Sequence, residues 1–184
     1  MALTLIALTV LPAAAETGVG GSTLAPTPAT VTVGNMAPAG QSVTLTEANV
    51  TEIFGKGATF DQATNTLTLK GLMAGSSELI RLPGSIHSTG SLNLVLEGDP
   101  KDTFSLDTVS GYGIHAAGDL TIEGSVVLNI TLSGTGATIA YGLASTNGNV
   151  TIKDTSVKIA TAEAGAEEKY LFRYLCRSGS ERCL

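Results

Sequence analysis

A short stretch of sequence occurs three times: Ser85-Ile86-His87-Ser88-Thr89-Gly90-Ser91-Leu92, Gly113-Ile114-His115-Ala116-Ala117-Gly118-Asp119-Leu120 and Gly142-Leu143-Ala144-Ser145-Thr146-Asn147-Gly148-Asn149-Val150. Each copy runs into an alternating segment, Leu92-Asn93-Leu94, Leu120-Thr121-Ile122 and Val150-Thr151-Ile152, and a partial copy, Leu67-Thr68-Leu69, lies one period upstream. The period is roughly 25 to 30 residues, the spacing of a solenoid repeat. Such a stack places like residues one above another and offers ladders along a face rather than a deep pocket.

Composition narrows the class. The chain has 184 residues, 22 of them Gly, and only 14% are charged, which argues for turn-rich β structure over a helical bundle or a disordered chain. With aromatics at 4% and no Trp, core volume has to come from stacked Leu, Ile, Val and Ala. The formal net charge is −6, and Lys169, Arg173, Arg177 and Arg182 fall in the last stretch. The repeat region is therefore more acidic still, and nucleic acid is not an expected partner, because phosphate binding needs a clustered basic face.

Residues 1–15 read as a secretory signal peptide: an apolar run from Met1 to Leu11, too short to span a bilayer, leads to the small residues Ala13, Ala14 and Ala15, although no basic residue precedes the run. No other apolar run reaches the length of a membrane span. Residues 16–40, rich in Gly, Pro, Thr and Ala, read as a flexible linker. Residues 41–163 carry the repeats. At their start, Ser42-Val43-Thr44-Leu45-Thr46 alternates like a strand, and residues 47–55 read as a short helical segment ending at Gly55, together a cap over the first coil. Residues 164–184 lose the pattern and hold the two cysteines, Cys176 and Cys183. That tail reads either as an amphipathic helix covering the far end of the stack or as the product of a frameshifted or truncated reading frame.

Two or three short strands fit into each repeat, which predicts a parallel β-helix whose strands pair in register with those one coil below, about 4.8 Å away. The expected inward residues are Leu67, Leu69, Leu92, Leu94, Ile114, Leu120, Ile122, Val126, Leu128, Leu143, Val150, Ile152, Val157 and Ile159. Thr68, Asn93, Thr121 and Thr151 are expected to form one outward polar row.

The run Phe60-Asp61-Gln62-Ala63-Thr64-Asn65-Thr66-Leu67-Thr68-Leu69 together with Gly113-Ile114-His115-Ala116-Ala117-Gly118-Asp119-Leu120-Thr121-Ile122 resembles the parallel β-helix repeat modules of secreted and cell-surface proteins of anaerobic gut bacteria, the carbohydrate-binding domain-containing type. The resemblance spans roughly residues 42 to 160. It implies an all-β, right-handed parallel β-helix outside a bacterial cell, secreted or at its surface, that binds or displays a polysaccharide or cell-surface glycan, with calcium in some relatives.

Three constellations bear on function. Tyr112 and Tyr141 occupy equivalent positions and are expected to stack; exposed, they would form a sugar-binding platform, and buried, a packing element. His87 and His115 are likewise equivalent, but the third repeat has Ala144 there, so a solvent-facing ladder is the simpler expectation than a shared metal. Asp99, Asp102 and Asp107 lie in one acidic loop with the oxygen ligands calcium needs, though with Lys101 among them and no EF-hand spacing, and a solvated turn is the competing reading. No acid/base pair, nucleophile elbow or phosphate loop stands out, so the expected function is a non-enzymatic carbohydrate-binding module. The alternatives are a structural or adhesive spacer and, behind it, a polysaccharide lyase-like enzyme.

Overall fold

A computed structural model of the chain describes residues 29–36, 41–71, 79–108, 111–133 and 141–161. Residues 1–15, read as a signal peptide, most of residues 16–40, read as a linker, and the tail with Cys176 and Cys183 lie outside the described residues.

The described chain is all-β apart from one five-residue helix, with strands β1 (Val31–Met36), β2 (Gln41–Thr44), β3 (Thr59–Asp61), β4 (Thr66–Lys70), β5 (Leu79–Leu82), β6 (Ser85–Ser88), β7 (Leu92–Glu97), β8 (Thr103–Thr108), β9 (Tyr112–Ala116), β10 (Leu120–Gly124), β11 (Val127–Leu132), β12 (Tyr141–Ser145), β13 (Val150–Lys153) and β14 (Ser156–Thr161), and helix α1 (Val50–Phe54). Among the described residues no helix is long and apolar enough to cross a membrane.

The strands form three sheets. The first is ordered β12-β9-β6-β1-β2, the second β13-β10-β7-β4-β3 and the third β14-β11-β8-β5. From β4 onward the chain visits the second, third and first sheets in rotation, and every strand from β7 pairs in parallel with the strand three places earlier. Thr66 pairs with Asn93, Asn93 with Thr121 and Thr121 with Thr151, register steps of 27, 28 and 30 residues. The outward polar row accordingly begins at Thr66 rather than at Thr68, which pairs with Val95. Asn93 Nδ2 donates to Thr66 Oγ1 at 3.4 Å along that row.

Like pairs with like in the interior. Leu67, Leu94 and Ile122 form one buried column, Leu92 and Leu120 a second, Ile86, Ile114 and Leu143 a third, and Leu82, Leu106 and Ile130 a fourth. Each fully buried aliphatic side chain stabilises the fold by roughly 1.5–3 kcal/mol. The columns weaken at the last rung. Ile152 is 37% exposed, and Val150, Val157 and Ile159 are half-buried, although their partners Ile122, Leu120, Leu128 and Ile130 are buried. All four were expected inside; they belong to β13 and β14, beyond which no described strand pairs.

The turn from the first sheet to the second explains why its sequence recurs. Ala117 N–H donates to Ser88 O and Gly118 N–H to Gly90 O, each at 3.0 Å, and one rung on Thr146 N–H donates to Ala116 O at 3.0 Å. Side chains join the ladder: Asp119 N–H donates to Ser91 Oγ (3.1 Å) and Asn149 N–H to Asp119 Oδ1 (2.8 Å). The turns approach so closely that a Cβ on Gly118 would lie 2.6 Å from Ser91 Oγ and 2.9 Å from Ser91 N. Glycine is required there by contact between rungs.

The N-terminal end breaks the parallel rule. β1 pairs antiparallel with β6 and β2, and β3 pairs antiparallel with β4. β1 lies inside residues 16–40, the segment read as linker. Its Val31 and Val33 alternate into the interior, both fully buried, and Val33 pairs with Ile86, so β1 itself is ordered alongside β6. Leu45, Val50 and Phe60 join the same core, and α1 ends at Gly55, whose positive φ of 92° with ψ of 177° is a conformation open to glycine and distinct from the left-handed helical cap. The turn between β3 and β4 is held by Asp61, whose Oδ1 accepts from Ala63 N (2.9 Å) and Thr64 N (3.3 Å). Hydrogen bonds from the Thr64 side chain and from these backbone groups hold the Asp61 carboxyl below its ordinary pKa.

Candidate functional site

The outer face of the first sheet gathers four rings. Tyr112 pairs with Tyr141 across β9 and β12, and His87 pairs with His115 across β6 and β9. The tyrosine rings stack with centroids 5.3 Å apart and planes 11° apart, and the imidazole centroids are 5.7 Å apart. The two pairs also meet each other. Tyr112 lies 5.0 Å from His115 and packs edge-on against His87 at 6.0 Å.

Strict alternation along β9 would separate these pairs, since Tyr112 and Ile114 would share one face and His115 would take the other. The strand is irregular at Gly113. That residue is buried, and a Cβ on it would lie 2.8 Å from Ile130 Cγ2 and 2.5 Å from Gly142 O, so its missing side chain points into the core like that of Ile114. Gly142 repeats the arrangement against Ile159, where a Cβ would lie 2.5 Å from Cδ1. With two successive residues facing inward, Tyr112 and His115 both emerge outward. The sequence shows the four rings as two separate ladders; the Tyr-Gly steps at residues 112–113 and 141–142 were the available signal that they form one cluster.

Burial, and after it the charge of His115, lowers the pKa of His87, and burial lowers that of His115. Both rings are thus neutral at neutral pH, each with one unprotonated nitrogen. His115 Nε2 lies 2.8 Å from Thr146 Oγ1, a contact one rung further along.

The acidic loop is built differently from a calcium site. Asp102 is fully buried: its Oδ2 accepts from Asp99 N (2.9 Å), and its N–H donates to Asp99 O (2.8 Å). Asp99 Oδ1 accepts from Lys101 N (3.1 Å), and Asp107 pairs with Arg81 at 3.2 Å on the outside of the third sheet. Asp102 therefore serves the turn rather than facing solvent, and Asp107 faces a cation on its own sheet. Among the described residues no group of three or more His, Cys, Asp and Glu side chains gathers to hold a metal ion, so Asp99, Asp102 and Asp107 do not assemble as ligands.

Two open depressions flank this corner. One, of about 420 Å³, is lined by Lys70, Glu97, Asp99, Pro100 and Asp102, and the other, of about 530 Å³, by Val95, Glu123, Ser125, Lys153 and Asp154. Their lining includes two cross-rung ion pairs, Lys70 with Glu97 at 2.9 Å and Lys153 with Glu123 at 3.9 Å. Neither depression is the enclosed apolar cleft that a small-molecule site usually needs. No protein-family model, curated protein or solved structure matches the chain.

Proposed function

We propose that the chain is a right-handed parallel β-helix that acts outside a bacterial cell, secreted or at its surface, as a non-enzymatic module binding a polysaccharide or cell-surface glycan. Parallel strands joined in rotation through three sheets suit that fold, and the near-universal right-handedness of parallel crossovers supports the hand. The observation that carries the functional reading is the ring cluster on a flat sheet face: Tyr112 and Tyr141, with His87 and His115 beside them, combine apolar ring surface with polar atoms able to meet sugar hydroxyls. The engagement of Lys70, Arg81 and Lys153 in ion pairs favours a binding over a lyase-like role.

A second reading is favoured by the ring geometry itself. The stacked tyrosines turn faces toward each other, leaving less open ring face than a sugar platform uses, which suits a structural or adhesive spacer. Affinity electrophoresis of the full chain on plant and mucin polysaccharides separates the two. Retardation by one polymer class that is lost in the Tyr112→Ala/Tyr141→Ala variant, with its β circular dichroism intact, supports glycan binding. Uniform migration leaves the spacer, and release of product from pectin-like polymers would overturn both in favour of an enzyme.

A further inference from the structure

We infer that His87 and His115 form a two-imidazole site for a borderline transition-metal ion of the Ni²⁺, Cu²⁺ or Zn²⁺ class on the outer face of the first sheet. The inference is independent of glycan binding. It starts from the register: the two histidines are direct partners on neighbouring parallel strands and leave the same face. A metal held at about 2.0–2.1 Å by one nitrogen of each of two imidazoles, at a near-tetrahedral angle, places the ring centroids about 5 Å apart. The observed separation is 5.7 Å, with the ring planes tilted by 53°, so small side-chain rotations close the gap without moving the strands.

The ring chemistry agrees with the geometry. Two imidazoles supply the borderline nitrogen donors that this class of metal prefers. His115 also has the kind of outer contact that metal-bound histidines use. When Nε2–H donates to Thr146 Oγ1, at 2.8 Å, Nδ1 is left unprotonated and the ring is held in orientation. Tyr112 stands 5.0 Å from His115 and 6.0 Å from His87, walling one side of the pair. Two protein nitrogens leave the other coordination positions to water or to a donor group on a bound molecule, and nitrogen donors select against Ca²⁺ and Mg²⁺.

The test is titration of the full chain with Ni²⁺, Cu²⁺ and Zn²⁺ by isothermal calorimetry, after alkylation of Cys176 and Cys183 to remove competing thiolates. Tyrosine fluorescence is followed in parallel, because the chain has no Trp and a bound Cu²⁺ beside Tyr112 quenches part of its emission. One saturable equivalent is expected, tightest for Cu²⁺ and absent for Ca²⁺ and Mg²⁺. His87→Gln and His115→Gln should each weaken it by about tenfold or more, and Thr146→Val should weaken it less. Glutamine keeps a polar side chain of similar reach, and an unchanged circular dichroism spectrum shows that each variant is folded. Saturable binding that both variants retain, or no saturable binding by the folded parent, overturns the site.

Discussion

The rings of Tyr112 and Tyr141 lie face to face, 5.3 Å apart with 11° between their planes, so each hides one face of the other from water. Offset aromatic pairs contribute about 0.5–1.5 kcal/mol beyond the area they bury. Tyr141→Ala should therefore lower the unfolding free energy by at least that amount, read as a lower urea midpoint with an unchanged slope. A midpoint equal to the parent's would mean that the stack contributes nothing to folding.

Gly113 and Gly142 carry the irregularity that gathers the rings, and each faces an isoleucine of the third sheet, the buried Ile130 and the half-buried Ile159. Gly113→Ala should destabilise by about 1–3 kcal/mol through overpacking. It should also alter the near-ultraviolet circular dichroism of the tyrosines, because β9 has to move away from Ile130 and Gly142. Thermal melts together with the tyrosine signal check both effects.

Equivalent residues on successive rungs should differ sharply in cost. Ile122 is fully buried, whereas its partner Ile152 is 37% exposed. Ile122→Ala should cost about 2–5 kcal/mol, as buried aliphatic truncations do. Ile152→Ala should cost well under half as much, since less apolar surface leaves the interior. Chemical denaturation of the two variants side by side decides the matter, and equal losses would show that the last rung is covered in solution.

Acid should weaken the fold in the histidine range. The folded pKa values of His87 and His115 lie below the unfolded value of about 6.5, so the unfolded chain takes up protons first as pH falls. The contribution is fully present above that pH and is lost as pH drops below it toward the folded values. Denaturation midpoints at pH 7.5 and 5.0 should therefore differ more for the parent than for the His87→Gln/His115→Gln variant. Asp61 acts in a separate, more acidic window: its folded pKa is depressed, so its contribution is present at neutral pH and lost as pH falls through the folded value.

Much of the fold was legible because the repeat states the register directly. The columns through Leu94 and Ile122, and through Leu92 and Leu120, follow from aligning the copies. Other features were not legible. β1 was hidden because a strand that pairs antiparallel with β6 and β2 has no copy elsewhere in the chain to reveal it. The row position of Thr66 was misplaced by two residues, a shift that preserves the face and so leaves no trace in the alternation. The acidic loop suggested ligands because composition does not show direction, and Asp102 points inward to hold its own turn.

In-register pairing has a consequence for how such a chain can change length. Most core residues have as neighbour their own counterpart one repeat away, so duplicating or deleting a whole repeat presents few side chains with an unfamiliar surface. A one-residue insertion within a strand would instead reverse the faces of everything after it. The connections absorb the difference: three residues join β8 to β9 and eight join β11 to β12, yet Tyr112 still meets Tyr141. Tolerance to insertion is thus confined to the corners, and the strands behave as interchangeable units of inheritance.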